Sequence, residues 1–262
     1  MKGFALLFGE ALADAIRRRI VSGVAIAALL SVLMLDSCTS CSPSITVNGQ
    51  LRDLGELMGA AGFGAFLVLG LWVIALAGVL AADHLRSALE DGSAMLALAR
   101  PVPREVFALA RLAGVLGVAA GAGGLVLGAA ALLLAKRSHL PLPPALLAAG
   151  ACALGALVVG ALAMAASLVL PRVATILLVL GGMGLLTLAN GVAPIGEGAG
   201  WLGVLDRFGP PLASTMALAL EPWLTSVTIA GDGIRLAARL VAWAIGALFA
   251  LAYGFRRVEL GP

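Results

Sequence analysis

The sequence predicts an all-α polytopic membrane protein with six transmembrane helices, and three observations carry that expectation. Of 262 residues, 61% are hydrophobic and only 12% charged, whereas charged residues make up about a quarter of a soluble domain. Mean hydropathy is +1.08. Long charge-free runs recur along the chain, and a crossing needs about 20 mostly apolar residues, because the hydrocarbon core is about 30 Å thick and a helix rises about 1.5 Å per residue. The same figures exclude a disordered chain, which is polar, and a soluble globular fold, which needs more polar surface to cover its core. Collagen is excluded because the 34 glycines follow no Gly-X-Y repeat.

The chain opens on an amphipathic segment, residues 1–19. Phe4, Leu7, Phe8, Ala11, Leu12, Ala15 and Ile16 recur at helical spacing, while Glu10, Asp14, Arg17 and Arg18 share the opposite side. Such a helix lies in the membrane interface plane; the plainer alternative is a cytoplasmic extension of the first span. No cleavable leader is expected, since cutting at Leu35-Asp36-Ser37-Cys38 would discard that span.

Spans are expected at 20–35, 57–82, 112–135, 145–170, 173–193 and 236–255, all within a single transmembrane domain covering 1–262. The first is short and relies on snorkelling of Arg17, Arg18 and Arg19. Between Arg207 and Asp232 the one charge is Glu221, so 208–231 passes for a seventh span by composition. Pro210, Pro211 and Pro222 break it into halves too short to cross, and a mid-membrane carboxylate is costly. Two short helices dipping into or lying on the outer leaflet are expected there, inside an outer loop 194–235. The two halves of the chain show no register of internal repetition, which speaks against an inverted-repeat transporter.

Orientation follows from the Lys and Arg of the loops. Six spans place Lys2, Arg17, Arg18, Arg19, Arg86, Arg100, Arg104, Arg111, Arg172, Arg256 and Arg257 on one side, eleven of the 17. Arg52, Lys136, Arg137, Arg207, Arg235 and Arg239 fall on the other. Both termini are therefore expected in the cytoplasm, with Lys136-Arg137 running against the rule. A net charge of +3 is too small to argue for nucleic acid.

Few residues outside the loops carry chemistry. Cys38 and Cys41 form a Cys-x-x-Cys just outside the first span, and a local disulfide in an oxidising periplasm is the favoured reading, with thiol exchange as the alternative. Cys152 reads as a small apolar residue within a span, and no cysteine or histidine cluster completes a zinc site. His84 and His139 are expected on opposite sides of the bilayer. Ser31, Ser167, Thr175 and Thr187 have no histidine at matching depth, which disfavours a membrane hydrolase. Gly117, Gly121, Gly124 and Gly128 make small-residue faces, expected to serve packing within the chain rather than a subunit interface. Asn190 and Glu221 are read as a helix cap and a solvated turn.

The longest cytoplasmic loop, 83–111, holds most of the interpretable chemistry. Glu90 and Asp91 stand before Gly92; Ser93 is placed to cap a short helix through Met95, Leu96 and Leu98, which Pro101 ends, with Arg100 and Arg104 behind. A short, partly apolar helix flanked by acids and arginines suits docking into a partner's groove. The plainer alternative is an interfacial loop anchored by arginines.

The run Glu90-Asp91-Gly92-Ser93, then Leu96 through Arg104, then Phe107 through Arg111 and Gly114, resembles the signature of type-2 ABC transporter permeases. The opening from Phe8 to Arg19 is similar to that family's amphipathic leading helix. Gly9 departs from it where a basic residue is usual, and Leu98 and Ala99 replace part of a Leu-Leu-Ser run. The resemblance implies a homodimeric permease in a bacterial inner membrane that binds two cytoplasmic ATP-binding subunits and leaves room for a periplasmic accessory protein. It further implies that Glu90, Asp91, Gly92, Ser93, Arg100, Pro101 and Arg104 couple the spans to the ATPase. This chain has no Gly-x-x-x-x-Gly-Lys-Ser/Thr loop, so it is expected to bind no cofactor and to be no enzyme itself; ATP and Mg belong to the partner. A membrane scaffold anchoring an envelope or motility assembly is the alternative of another class.

Overall fold

The computed structural model describes residues 2–17, 26, 29–30, 33, 37, 46–47, 50–51, 54–90, 92, 103–192, 200–224, 228–229 and 231–257. Among these the fold is helical. Its elements are α1 (Lys2–Arg17), a two-residue antiparallel pair β1 (Thr46–Val47) and β2 (Gln50–Leu51), α2 (Leu54–Glu90), α3 (Arg104–Ser138), α4 (Leu142–Ala166), α5 (Arg172–Val192), α6 (Gly200–Phe208), α7 (Leu212–Leu220), a 3-10 turn (Glu221–Trp223) and α8 (Gly233–Arg257). Five of the helices are long and apolar enough to cross a membrane, α2, α3, α4, α5 and α8. The expected span at 20–35 lies outside the described residues apart from Ile26, Leu29, Leu30 and Leu33, which are helical and exposed.

The helices overshoot the charge-free runs that predict them. α2 is 37 residues long, about 55 Å at 1.5 Å per residue, against a hydrocarbon core of about 30 Å. A charge marks where apolar surroundings end, not where the helix ends. Asp83, His84 and Arg86 are therefore helical, and the expected loop 83–111 shrinks to the connector between Glu90 and Arg104.

Local signals end each piece. Gly92 has φ +71°, and its N–H reaches the Leu89 carbonyl at 3.4 Å, a left-handed cap that glycine adopts without Cβ strain. Pro103 precedes α3, and Glu105 in its first turn complements the helix dipole. Prolines open α4. Asp232 caps α8 by accepting the Ile234 N–H at 3.1 Å, and Arg256 and Arg257 close it.

α2 is the most enclosed span and lies against α3, α4, α5 and α7; α8 packs on α4 and α3. Lipid is as apolar as the side chains, so close packing holds such helices together. Small residues permit it. A Cβ on Gly70 would overlap Met216 of α7, and one on Gly59 would overlap the Trp223 carbonyl. The Trp223 ring meets Phe66 edge-on at 5.6 Å, and its Nε1–H donates to the Pro141 carbonyl at 2.9 Å, which ties the 3-10 turn to the α3–α4 corner. Of the expected glycine faces, Gly117 meets Leu12 and Phe8 of α1, whereas Gly121, Gly124 and Gly128 meet nothing within 4 Å among the described residues.

Candidate functional site

One end of the bundle gathers the ion pairs. The C-terminal turns of α2, the first turns of α3, helix α1, the turn between α4 and α5, and the end of α8 all meet there. Asp83 of α2 is buried and pairs with Arg172 of α5 at 2.9 Å. Arg86, three residues on, binds Glu90 at 2.7 Å and donates to the Leu170 carbonyl at 2.8 Å. Glu105 of α3 pairs with Arg256 of α8 at 2.5 Å, two residues from Phe107 on one helix and one from Phe255 on the other, whose rings stack 6.0 Å apart.

A further knot joins α1 to both long helices. Arg111 Nη1 donates to Asp14 Oδ2 at 3.2 Å and lies 3.4 Å from His84 Nε2. His84 Nδ1 is 3.5 Å from the same Asp14 oxygen. The His84 ring is 1% exposed while Asp14 is 45% exposed, so the knot is roofed by the carboxylate and reaches water through it. Its position depends on a close crossing. A Cβ on Gly114 would stand 2.7 Å from the Ala11 Cβ, so only glycine lets α1 come down far enough for Asp14 to meet Arg111. Ala11 is buried at that crossing, while Phe4 and Ile16 at the ends of the expected apolar stripe remain exposed.

The opposite end carries a different network. Asn190 Nδ2 donates to Asp206 Oδ1 of α6 at 2.9 Å, a bond between helices where a helix cap is expected. Arg239 donates to the Arg207 carbonyl at 3.1 Å and Trp243 to the Phe208 carbonyl at 3.0 Å. Glu221 accepts the Ile229 N–H at 3.2 Å and so braces the turn it begins. Ser167, Thr175 and Thr187 spend their hydroxyls on carbonyls three or four residues back. An apolar cavity of about 360 Å³ opens between α2, α3 and α4, lined among others by Phe66, Val73, Gly124, Gly128 and Cys152. The Cys152 thiol faces the Gly70 carbonyl at 3.3 Å.

Of the residues singled out in the sequence, Glu90 and Arg104 sit at the two ends of the connector, Glu90 paired with Arg86. Gly92 caps α2. Asp91, Ser93, Arg100, Pro101, Arg18, Cys38 and Cys41 lie outside the described residues, as do the side chain of Arg17 and the short helix expected after Ser93. Glu10 is exposed on α1. Asp14 is half-exposed and also lies against Arg111 and His84. Sequence reasoning missed the pairings of Asp83 with Arg172 and of Glu105 with Arg256. Charges beside apolar runs hint at them, but partners about 90 and 150 residues away are not legible from spacing.

What these features define is the class: a helical membrane protein with an ion-paired collar at one end. No protein-family model matches the chain, and no curated protein matches it.

Proposed function

We propose that this chain is the permease subunit of an ATP-binding cassette transporter, driven by ATP hydrolysis on separate subunits. In this reading it crosses a bacterial inner membrane six times with both termini in the cytoplasm, and the collar is the cytoplasmic end. Two copies pair, and two ATP-binding subunits dock beneath them.

The observation that carries the reading is the way the helix ends on either side of the connector are tied to their neighbours. The two long antiparallel helices that flank residues 91–103 are tied, among the described residues, to α1 by Arg111 and Asp14, to the α4–α5 turn by Arg86, to α5 by Asp83 and Arg172, and to α8 by Glu105 and Arg256. Pairs whose partners are both well exposed contribute little individually, about 0–1 kcal/mol. Together they make the bundle end move as one piece, as a lever pushed from the cytosol requires. The family resemblance of Glu90 to Arg104 supplies the identity of the pusher. The scarcity of charge along the spans and the apolar lining of the cavity favour an amphiphilic cargo, moved outward.

Charge reversal tests the reading. Glu90→Lys and Arg104→Glu, separately, are expected to cut stimulation of the partner's ATPase about tenfold or more, since a like-charge contact at an interface costs several kcal/mol. Undiminished stimulation in both variants contradicts the assignment.

A further inference from the structure

The geometry points to a binding site for an anionic phospholipid on α8, at the end of the bundle away from the collar, with the lipid phosphate on Arg235 and Arg239 and an acyl chain lying over Ala242 and Gly246. α8 is 25 residues long, about 37 Å of helix. Set evenly across a hydrocarbon core about 30 Å thick, it puts the Arg239 backbone about 6 Å inside the edge. A cation at that depth is costly, and its stem carries the guanidinium back to the headgroup level, where lipid phosphates lie.

Arg235 stands one turn nearer the end of the helix on the same face. Arg239 Nη1 donates to the Arg207 carbonyl at 3.1 Å, which brings the last turn of α6, with the exposed Arg207, to the same place. Three cations therefore gather there. The carboxylates alongside are Asp206, which accepts from Asn190 at 2.9 Å, and Asp232, which accepts the backbone N–H groups of Ile234 at 3.1 Å and Arg235 at 3.4 Å. Among the described residues the three guanidiniums have one hydrogen bond between them, the one to the Arg207 carbonyl. The Arg239 Nε–H is covered, which leaves its Nη groups and the donors of Arg235 for an anion. Guanidinium donors match phosphate oxygens in pairs.

Below the arginines the helix surface is thin. Residues 235, 239, 242 and 246 follow one another along one face. Ala242 and Gly246 are exposed there, and a Cβ on Gly246 meets nothing within 4 Å among the described residues. Val241 and Ile245 rise on one side and Trp243 on the other, its Nε1–H fixed on the Phe208 carbonyl at 3.0 Å. The stacked rings of Phe249 and Tyr253 close the channel at its lower end. From Arg239 to Phe249 the helix rises about 15 Å, the depth of one leaflet. The channel thus has a cationic head, apolar walls and the length of a single lipid tail, and it depends on no partner chain.

The test is quenching of Trp243 fluorescence by lipids brominated on their acyl chains. Trp72 and Trp201, both exposed, are changed to phenylalanine, and Trp223 is buried. The full-length chain is reconstituted in phosphatidylcholine vesicles in which a minority of the lipid is brominated, with either phosphatidylglycerol or phosphatidylcholine heads. The site predicts a preference for phosphatidylglycerol of about fivefold for each of the two arginines, the effect of one such cation at a lipid surface. Arg235→Gln is expected to lower that preference about fivefold, and Arg235→Lys to keep it. Lys136→Gln, at the same end of the bundle but on α3, leaves it unchanged, which separates the site from a general surface charge. Inorganic phosphate in solution does not displace the brominated lipid, because it has no chain for the channel. Equal quenching by the two lipids with both arginines present overturns the site, whether or not an Arg235 variant folds. So does a preference that is undiminished in Arg235→Gln, falls as far in Lys136→Gln, or is abolished by inorganic phosphate.

Discussion

Gly114→Ala isolates the contact on which the collar's geometry depends. The added Cβ would sit 2.7 Å from the Ala11 Cβ, 3.0 Å from the Ala11 carbonyl carbon and 3.1 Å from the Leu12 nitrogen. Carbon atoms pack at about 3.5–4.0 Å, so α1 has to retreat by about 1 Å, and Asp14 with it. Overpacking of this kind costs about 1–3 kcal/mol. Alanine also favours the helix over glycine by about 1 kcal/mol, which partly hides the clash. Gly128→Ala supplies the correction, because a Cβ there meets nothing within 4 Å among the described residues and only the propensity gain applies. The difference between the two variants is therefore about 1–3 kcal/mol in α1 docking, or roughly 5- to 150-fold in the released fraction. Pulsed EPR between nitroxides on Gly9→Cys of α1 and Lys136→Cys at the far end of α3, in a full-length chain otherwise free of cysteine, reads that fraction. Equal docking in Gly114→Ala and Gly128→Ala would refute the close crossing.

Two further outcomes follow from the packing. Arg172→Gln removes the cation 2.9 Å from the buried Asp83 carboxylate, and thermal unfolding in detergent is expected to show a loss of about 1–3 kcal/mol, with most of it recovered when Asp83→Asn is added. Trp223→Phe keeps a ring against Phe66 but removes the donor to Pro141, so a loss of about 1 kcal/mol is expected in the same assay.

Much of the fold is legible in the sequence because the membrane demands it. Charge-free runs of about 20 residues have one comfortable home, and the five described spans stand where such runs predict them. The stretch interrupted by Pro210, Pro211 and Pro222 holds, among the described residues, a nine-residue helix and a 3-10 turn. Helix ends are less legible, since Asp83, His84 and Arg86 look like loop residues by polarity and are held helical by partners on α1, α3, α5 and the α4–α5 turn. The collar is hidden for the same reason: Glu105 finds Arg256 only once α3 and α8 stand side by side. The knot needs Gly114 as well as its three polar members, and nothing in the spacing of Asp14, His84 and Arg111 reveals that a missing methyl group brings them together.

Purification of the tagged chain from its native membrane, with identification of co-eluting proteins, tests the central claim most directly. A transporter permease brings down a cytoplasmic chain carrying a Gly-x-x-x-x-Gly-Lys-Ser/Thr nucleotide loop in equal stoichiometry, and the complex hydrolyses ATP. Recovery of envelope or motility components with no nucleotide-binding chain among them would contradict the account and assign this bundle to an anchor.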